Sequence, residues 1–210
     1  MKLMPLSPHN TIFHEMMSHP ALFTHPHPMK VAIVGDEDSH ILQEVIKHEH
    51  LGEITFISNK NATITNANPK IHVYAGNTAN WIKNTAPHSF DIIIHAAQPN
   101  TELLNHFFTL LSVGGILIQQ STSPFEMAAI KSLADQLRLT GFNDQQILNF
   151  PQPSFSTGWR SIIMATKQAN FKRIREKAIF SKPFKTYYYN LDTHKASLVL
   201  PEFMRGEWVI

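Results

Sequence analysis

The 210-residue chain contains no cysteine. That excludes a disulfide framework, a thiolate metal site and a thiol nucleophile, and it fits a reducing compartment. Long hydrophobic runs are missing too. Nothing approaches the roughly 20 apolar residues of a membrane span. The opening MKLMPLSPHN, with Pro5 and Pro8, has no apolar run of signal-peptide length. A cytoplasmic protein with no membrane partner is expected. Neither sign of charge dominates, since the net charge is +2, so the surface as a whole gives no case for nucleic acid. Glycine is scarce, at eight residues, and no P-loop or G-x-S-x-G elbow occurs.

What is present is a core. With 43% apolar residues the chain can bury one full domain. Short β-branched runs, KVAIVG (30–35), EITFIS (53–58), IHVYAG (71–76), DIIIHA (91–96) and GGILIQQS (114–121), alternate with helical patterns. That alternation predicts βαβ units and a mostly parallel sheet covered on both faces. HILQEVIKH, TANWIKN, TELLNHFFTLL and PFEMAAIKSLADQLRLTGF are the helices, the last with Pro124 in its first turn and Gly141 at its stop. QQILNF and RSIIMATK flank the loop PQPSFSTGW and read as an antiparallel hairpin. The expected fold class is therefore α/β, a methyltransferase-like Rossmann fold ending in an antiparallel hairpin. An N-terminal helical lead (1–29) precedes the Rossmann-like domain (30–210).

Several clusters invite chemistry. HEMMSH resembles the zinc motif H-E-x-x-H, but His14 and His19 are five apart and do not share a helix face. His25/His27 and His48/His50 lack a nearby carboxylate triad and read as surface histidines, so no metal site is expected. Lys167, Lys172, Arg173, Arg175, Lys177, Lys182 and Lys185 make one basic segment, read as a solvated face with nucleic acid the less favoured alternative. At the first turn, Gly35 is followed by Asp36, Glu37 and Asp38 where a nucleotide-binding fold places glycines. A pyrophosphate there would face three negative charges, which excludes NAD, FAD or a nucleoside triphosphate. The acids read either as a well-charged helix start or as a turn for a cationic ligand.

FHEMMSHPALFTHPHPMKVAIVG, LQEVIKH, GGILIQQSTSPF and above all YYNLDTHKASLVLPEFMR resemble the spermidine synthase family of polyamine aminopropyltransferases. The likeness runs in order from about Ile12 to Arg205. It implies aminopropyl transfer from decarboxylated S-adenosylmethionine, a co-substrate rather than a tightly bound cofactor, to putrescine. It also implies polyamine and nucleoside ligands, and a homodimer or a pairing with a related synthase. Both substrates are cations, and one carboxylate must take a proton from the attacking amine.

By resemblance, His14 contacts the nucleoside, Asp38 keeps the amine-binding role, and Asn77 with Thr78 stands at the adenine. Gln120 and Trp159 stand at the substrate. The family's proton-acceptor aspartate falls at Ala96, with Gln98 at the second aspartate. No catalytic residue is thus assigned, and His95 is a weak substitute, since it should point to the opposite face of the sheet. Ser58 replaces the acid that grips the ribose, Phe13 and Phe155 replace tyrosines, and Thr122 replaces a glutamate. Trp159 reads as a pocket wall or as core, and Tyr187 to Tyr189 as packing. Eleven residues precede Ile12, where the family usually begins with a small β domain that covers the site. Three readings stay open, the first two being a divergent enzyme with weak or lost transfer and a non-catalytic polyamine- and nucleoside-binding or subunit-partner protein. A third is methyl transfer or nucleic-acid binding.

Overall fold

A computed structural model of the chain describes residues 8–58, 68–167, 174–206 and 208. The strands are β1 (Lys30–Val34), β2 (Glu53–Ser58), β3 (Ile71–Ala75), β4 (Phe90–His95), β5 (Leu111–Gln120), β6 (Asp144–Pro151) and β7 (Trp159–Thr166). They form one sheet in the order β3-β2-β1-β4-β5-β7-β6. The first five are parallel, while β7 runs antiparallel to both β5 and β6. That is the methyltransferase-like Rossmann arrangement with its terminal hairpin.

Side-chain alternation sorts the strands onto two buried faces. Val31, Ile33, Ile92, Ile94, Ile118 and Met164 pack under α1 (Pro8–Thr24), α2 (His40–Val45), α6 (Glu176–Phe180) and α7 (Leu191–Ser197). Ala32, Val34, Ile93, Leu117 and Ile163 pack under α3 (Thr78–Lys83), α4 (Thr101–Leu110), α5 (Met127–Thr140) and α8 (Glu202–Arg205). Each large side chain so buried contributes about 1.5–3 kcal/mol. The lead helix α1 gives Met16, Met17 and Leu22 to the first of these cores.

Three boundaries differ from the sequence reading, each for a local reason. β5 begins at Leu111, which pairs with Phe90 before the register shifts to Ile92 opposite Ile116, so Gly114 lies within an irregular stretch and not at the strand start. Pro124 falls in a turn closed by Glu126 N–H to the Ser123 carbonyl, and α5 starts only at Met127. α2 ends at Val45, where the N–H groups of Lys47 and His48 bond three residues back. Gly141 does end α5, in the left-handed region at φ +113°.

The histidines are less superficial than expected. His25 and His48 are buried, while His27 and His50 are exposed. His48 Nε2 lies 3.0 Å from His19 Nδ1, and His19 Nε2 lies 3.1 Å from Glu44, which also holds Lys47 at 2.6 Å. This chain of polar groups joins α1 to α2 beneath Phe23, Phe184 and Tyr189. Among the described residues no group of three His, Asp or Glu could hold a metal ion.

Glu15 joins α1 to the C-terminal segment. Its carboxylate accepts the backbone N–H groups of Tyr187, Tyr188 and Tyr189 at 2.6, 2.9 and 2.7 Å. Tyr189 is core, but Tyr187 is 66% exposed, so only part of the tyrosine run is packing. In the basic segment, Lys172 and Arg173 lie outside the described residues. Arg175 donates to the Leu22 carbonyl near the end of α1, and Lys167 to the Leu111 carbonyl. Among the described residues no helix is long and apolar enough to cross a membrane.

Candidate functional site

In this sheet the strand order reverses between the parallel β1 and β4, because β1 continues outward to β2 while β4 continues the other way to β5. Helices therefore leave to opposite faces, and a crevice opens beyond the strands' carboxyl ends. Gly35, Ser58, Ala96 to Gln98 and Gln120 all stand at that edge. β7, being antiparallel, presents its start there, which brings Trp159 and Arg160 beside the end of β5. The crevice has two sides, one on each face of the sheet.

The side under α3 and α4 is a cavity of ≈ 150 Å³, lined among others by Gly35, Glu37, Ser58, Thr78, His95 and Gln98. Sites for drug-sized ligands run to roughly 300–1,000 Å³, so this space takes a base or a ribose but not a whole nucleoside without movement. Gly35 is required here. It sits at φ +81°, and a Cβ would lie 2.8 Å from the Ala97 Cβ.

The three acids after Gly35 divide. Asp36 is buried, and its carboxylate accepts the N–H of Leu42 at 3.0 Å, so it serves the start of α2 in place of Ser39, whose side chain makes no cap. Burial pushes its carboxyl up to about 6, while the backbone bonds from α2 pull the other way. Glu37 and Asp38 are exposed at the turn. The charged-helix-start reading thus describes Asp36. Its carboxylate is turned toward the start of α2, while the residue also lines the cavity.

His95 belongs to the cavity side. It is buried edge-on to Phe107 of α4, and its Nδ1 lies 2.7 Å from Gln119 Oε1. Gln119 donates its own amide to the carbonyls of Ala97 and Gln120, which fixes its oxygen toward the histidine. Nδ1 is therefore the protonated nitrogen. Burial lowers the pKa of His95, with the Gln119 bond opposing. Ala96 packs on the α1 side, across the sheet from His95. Asn77 caps α3, its side-chain oxygen accepting the Ala79 N–H at 2.7 Å, and Thr78 lines the cavity.

The side under α1 is filled by a residue that the sequence reading passed over. Arg160 lies with its guanidinium 4.1 Å over the Phe13 ring and 5.1 Å from that of Phe155. It donates to Gln120 Oε1 at 2.8 Å and to the Ser121 carbonyl at 3.5 Å. Burial lowers its pKa. The loop carrying Phe155 is pinned to α1 through Ser154 and Asn10 at 2.9 Å, and to the β5–α5 connection through Thr157 and Ser123 at 2.8 Å. His14 stacks on His40 at 5.0 Å, its Nδ1 is buried without a partner among the described residues, and burial lowers its pKa to about 4. Thr122 donates to Glu126 at 2.7 Å. Trp159 is 43% exposed, so the core reading of it does not hold.

A signal for Arg160 was available. It precedes Ile162 and Met164 at period two, which puts a cation in register with a buried face. A larger depression of ≈ 580 Å³ runs along the outside of α5 by Ala128, Asp135 and Leu139, away from the strand ends.

Comparison with known proteins places the chain in a family. Residues 10–175 match the family model described as the spermine/spermidine synthase domain. A polyamine aminopropyltransferase of Thioalkalivibrio sulfidiphilus is 34% identical over 93% of this chain and 77% of its own length. One from Xylella fastidiosa is 34% identical over 96% and 79%. Among solved structures, spermidine synthase from Thermotoga maritima shares the fold with a TM-score of 0.85 at 22% identity, covering 94% of this chain and 73% of that one. A spermidine synthase in complex with the transition state analogue AdoDATO has a TM-score of 0.85 at 21% identity, over 94% and 75%. The family match and the relatives' identity together establish that the chain belongs to the spermine/spermidine synthase family.

Proposed function

We propose that this chain binds a thioadenosine-type nucleoside with its base or ribose in the cavity, which widens to admit the rest, and carries out the family's aminopropyl transfer weakly or not at all. In that reaction an amine nitrogen forms a bond to the propyl carbon as that carbon's bond to sulfur breaks. Methylthioadenosine leaves, and the nitrogen gives up a proton. An ammonium has no lone pair, so a base must accept a proton on the side where the amine attacks.

The carrying observation is Ala96. Facing the α1 side of the crevice at the end of β4, it offers no proton acceptor where the family resemblance puts one. His95, the adjacent titratable group, is on the other face with its Nδ1 proton committed to Gln119. Loss of a general base costs about 10² to 10⁴ in rate. The reading includes no tightly bound cofactor, decarboxylated S-adenosylmethionine as co-substrate for any residual activity, and a cytoplasmic setting. Association as a homodimer or with a related synthase belongs to it as well.

The test is spermidine formation from putrescine and decarboxylated S-adenosylmethionine by the purified chain, run beside the Thioalkalivibrio sulfidiphilus relative, with methylthioadenosine binding measured by calorimetry. The expected result is binding with a rate lower by about 10² or more. A rate equal to the relative's would overturn the reading in favour of full aminopropyl transfer, which family membership by itself favours.

A further inference from the structure

The α1 side of the crevice holds a guanidinium bonded to Gln120, a position that the family resemblance puts at the substrate. Arg160 is half-buried, its flat faces are taken by Phe13 and Phe155, and its bonds to Gln120 and Ser121 use Nη2 and Nε. Nη1 has no acceptor among the described residues, and no carboxylate of those residues forms an ion pair with Arg160. A guanidinium has five donors in a rigid fork that matches a carboxylate in its plane. A cation taken partly out of water without a counter-charge is costly, and an arriving anion relieves that cost while an arriving ammonium raises it. Gln120 already gives one of its two oxygen lone pairs to Arg160, so an incoming ammonium would have to share that oxygen with a cation.

Nearby groups reinforce this. His14, half-buried and neutral at physiological pH, leaves its buried Nδ1 unmatched among the described residues, and His40 lies tilted against it. Two acids lie within electrostatic reach of His14, Glu44 and the exposed Asp38, and neither is ion-paired with Arg160. Arg160 is thus a partly desolvated cation with no ion-pair partner among the described residues, at the same sheet edge as the cavity.

We infer that Arg160 is a specificity-determining residue that makes this crevice select a ligand bearing a carboxylate and reject a diamine. The inference rests on the nucleoside reading above and adds the charge of the attached group. S-Adenosylmethionine and its decarboxylated form differ by that one carboxylate, so they make the matched pair.

Calorimetry with the full chain would compare these two ligands, with putrescine and methylthioadenosine as controls, on the wild type and on Arg160→Gln. The wild type should bind the carboxylate-bearing nucleoside about tenfold or more tighter than the decarboxylated one, as a charge-assisted pair implies, and should show no putrescine binding. Arg160→Gln should lose that preference while binding methylthioadenosine as before. Arg160→Lys, which keeps the charge without the fork, should retain part of it. Tighter or equal binding of the decarboxylated ligand by the wild type overturns the inference even if a variant does not fold. So does a preference that survives Arg160→Gln. If methylthioadenosine binds and the preference is absent, the nucleoside reading stands alone. If no nucleoside binds, both fall.

Discussion

The two sides of the crevice share one sheet edge and one connecting turn, yet one is a small cavity and the other presents the chain's own half-buried arginine. On the cavity side the polar groups are set by backbone: Gly35 leaves room for Ala97, Asp36 starts α2, Asn77 starts α3. On the α1 side they are set by long-range contacts among α1, the β6–β7 loop and the end of β5. Local devices preserve a ligand-sized shape with few residues. A side assembled from three distant segments can change its charge with one substitution, and Arg160 is such a residue.

The largest effect should come from the foundation of the α1 side. Glu15→Ala strands three N–H groups of the tyrosine segment, that of Tyr189 buried and those of Tyr187 and Tyr188 partly so. At roughly 1.5–3 kcal/mol for a hydrogen bond to a charged group, and with incomplete additivity, the loss should be about 3–5 kcal/mol. Thermal unfolding would show it as a midpoint lower by about 10 °C. A shift below about 2 °C would mean that the tail is held by its apolar contacts alone, and that the α1 side is less dependent on distant segments than the contrast requires.

Next comes a change that would make the α1 side resemble an amine site. Ala96→Asp restores a carboxylate at the end of β4, and Arg160→Gln removes the opposing cation. Each alone should leave putrescine turnover within about threefold of wild type, while the pair together should raise it about 10² or more, because the base and the vacated cation position act as a unit. Recovery by Ala96→Asp alone would break the comparison, since the arginine would then not govern that side.

The cavity side has a smaller lever. Gly35→Ala forces a Cβ to 2.8 Å from Ala97 at a φ of +81°. It should cost about 1–3 kcal/mol and weaken methylthioadenosine binding, because Ala97 lines the cavity. Unchanged binding at lowered stability would separate the turn's structural role from the ligand's approach.

Much of this architecture was legible in the sequence, and unevenly so. The strands are short β-branched runs between turn residues, so their places, the parallel order and the final hairpin followed from local pattern. The bulged start of β5 did not, because a register shift opposite Phe90 depends on the partner strand. In the site, the resemblance supplied His14, Asp38, Asn77, Gln120 and Trp159 as positions, but their present partners are tertiary facts. Gln120 is held by Arg160, Asn77 by the start of α3, and His95 by Gln119. The histidine pairs misled because H-x-H in a loop looks solvated, whereas His48 meets His19 across 29 residues. Arg160 was hidden between Trp159 and the apolar run of β7, visible only to a strict count of alternation.

The smallest effect is a pH dependence in which the two sides oppose each other. His14, on the α1 side, has its pKa lowered by burial to about 4 from the ordinary 6.5. The stability it contributes is complete above pH 6.5 and is lost as the pH falls toward 4. Asp36, on the cavity side, has its pKa raised by burial to about 6 from 3.8. Its contribution is complete below pH 3.8 and is lost as the pH rises through 6. Acidification from pH 6.5 to 4 therefore destabilises through His14 and stabilises through Asp36, and the visible slope is a partial cancellation on top of the other buried histidines. Asp36→Asn, which keeps an oxygen for the Leu42 N–H, should steepen the loss of thermal stability over that window, and His14→Gln should flatten it. Parallel melting curves for the wild type and Asp36→Asn between pH 6.5 and 4 would show that the Asp36 carboxyl ionises as it does in water. The cavity side would then be more open to solvent than its geometry indicates.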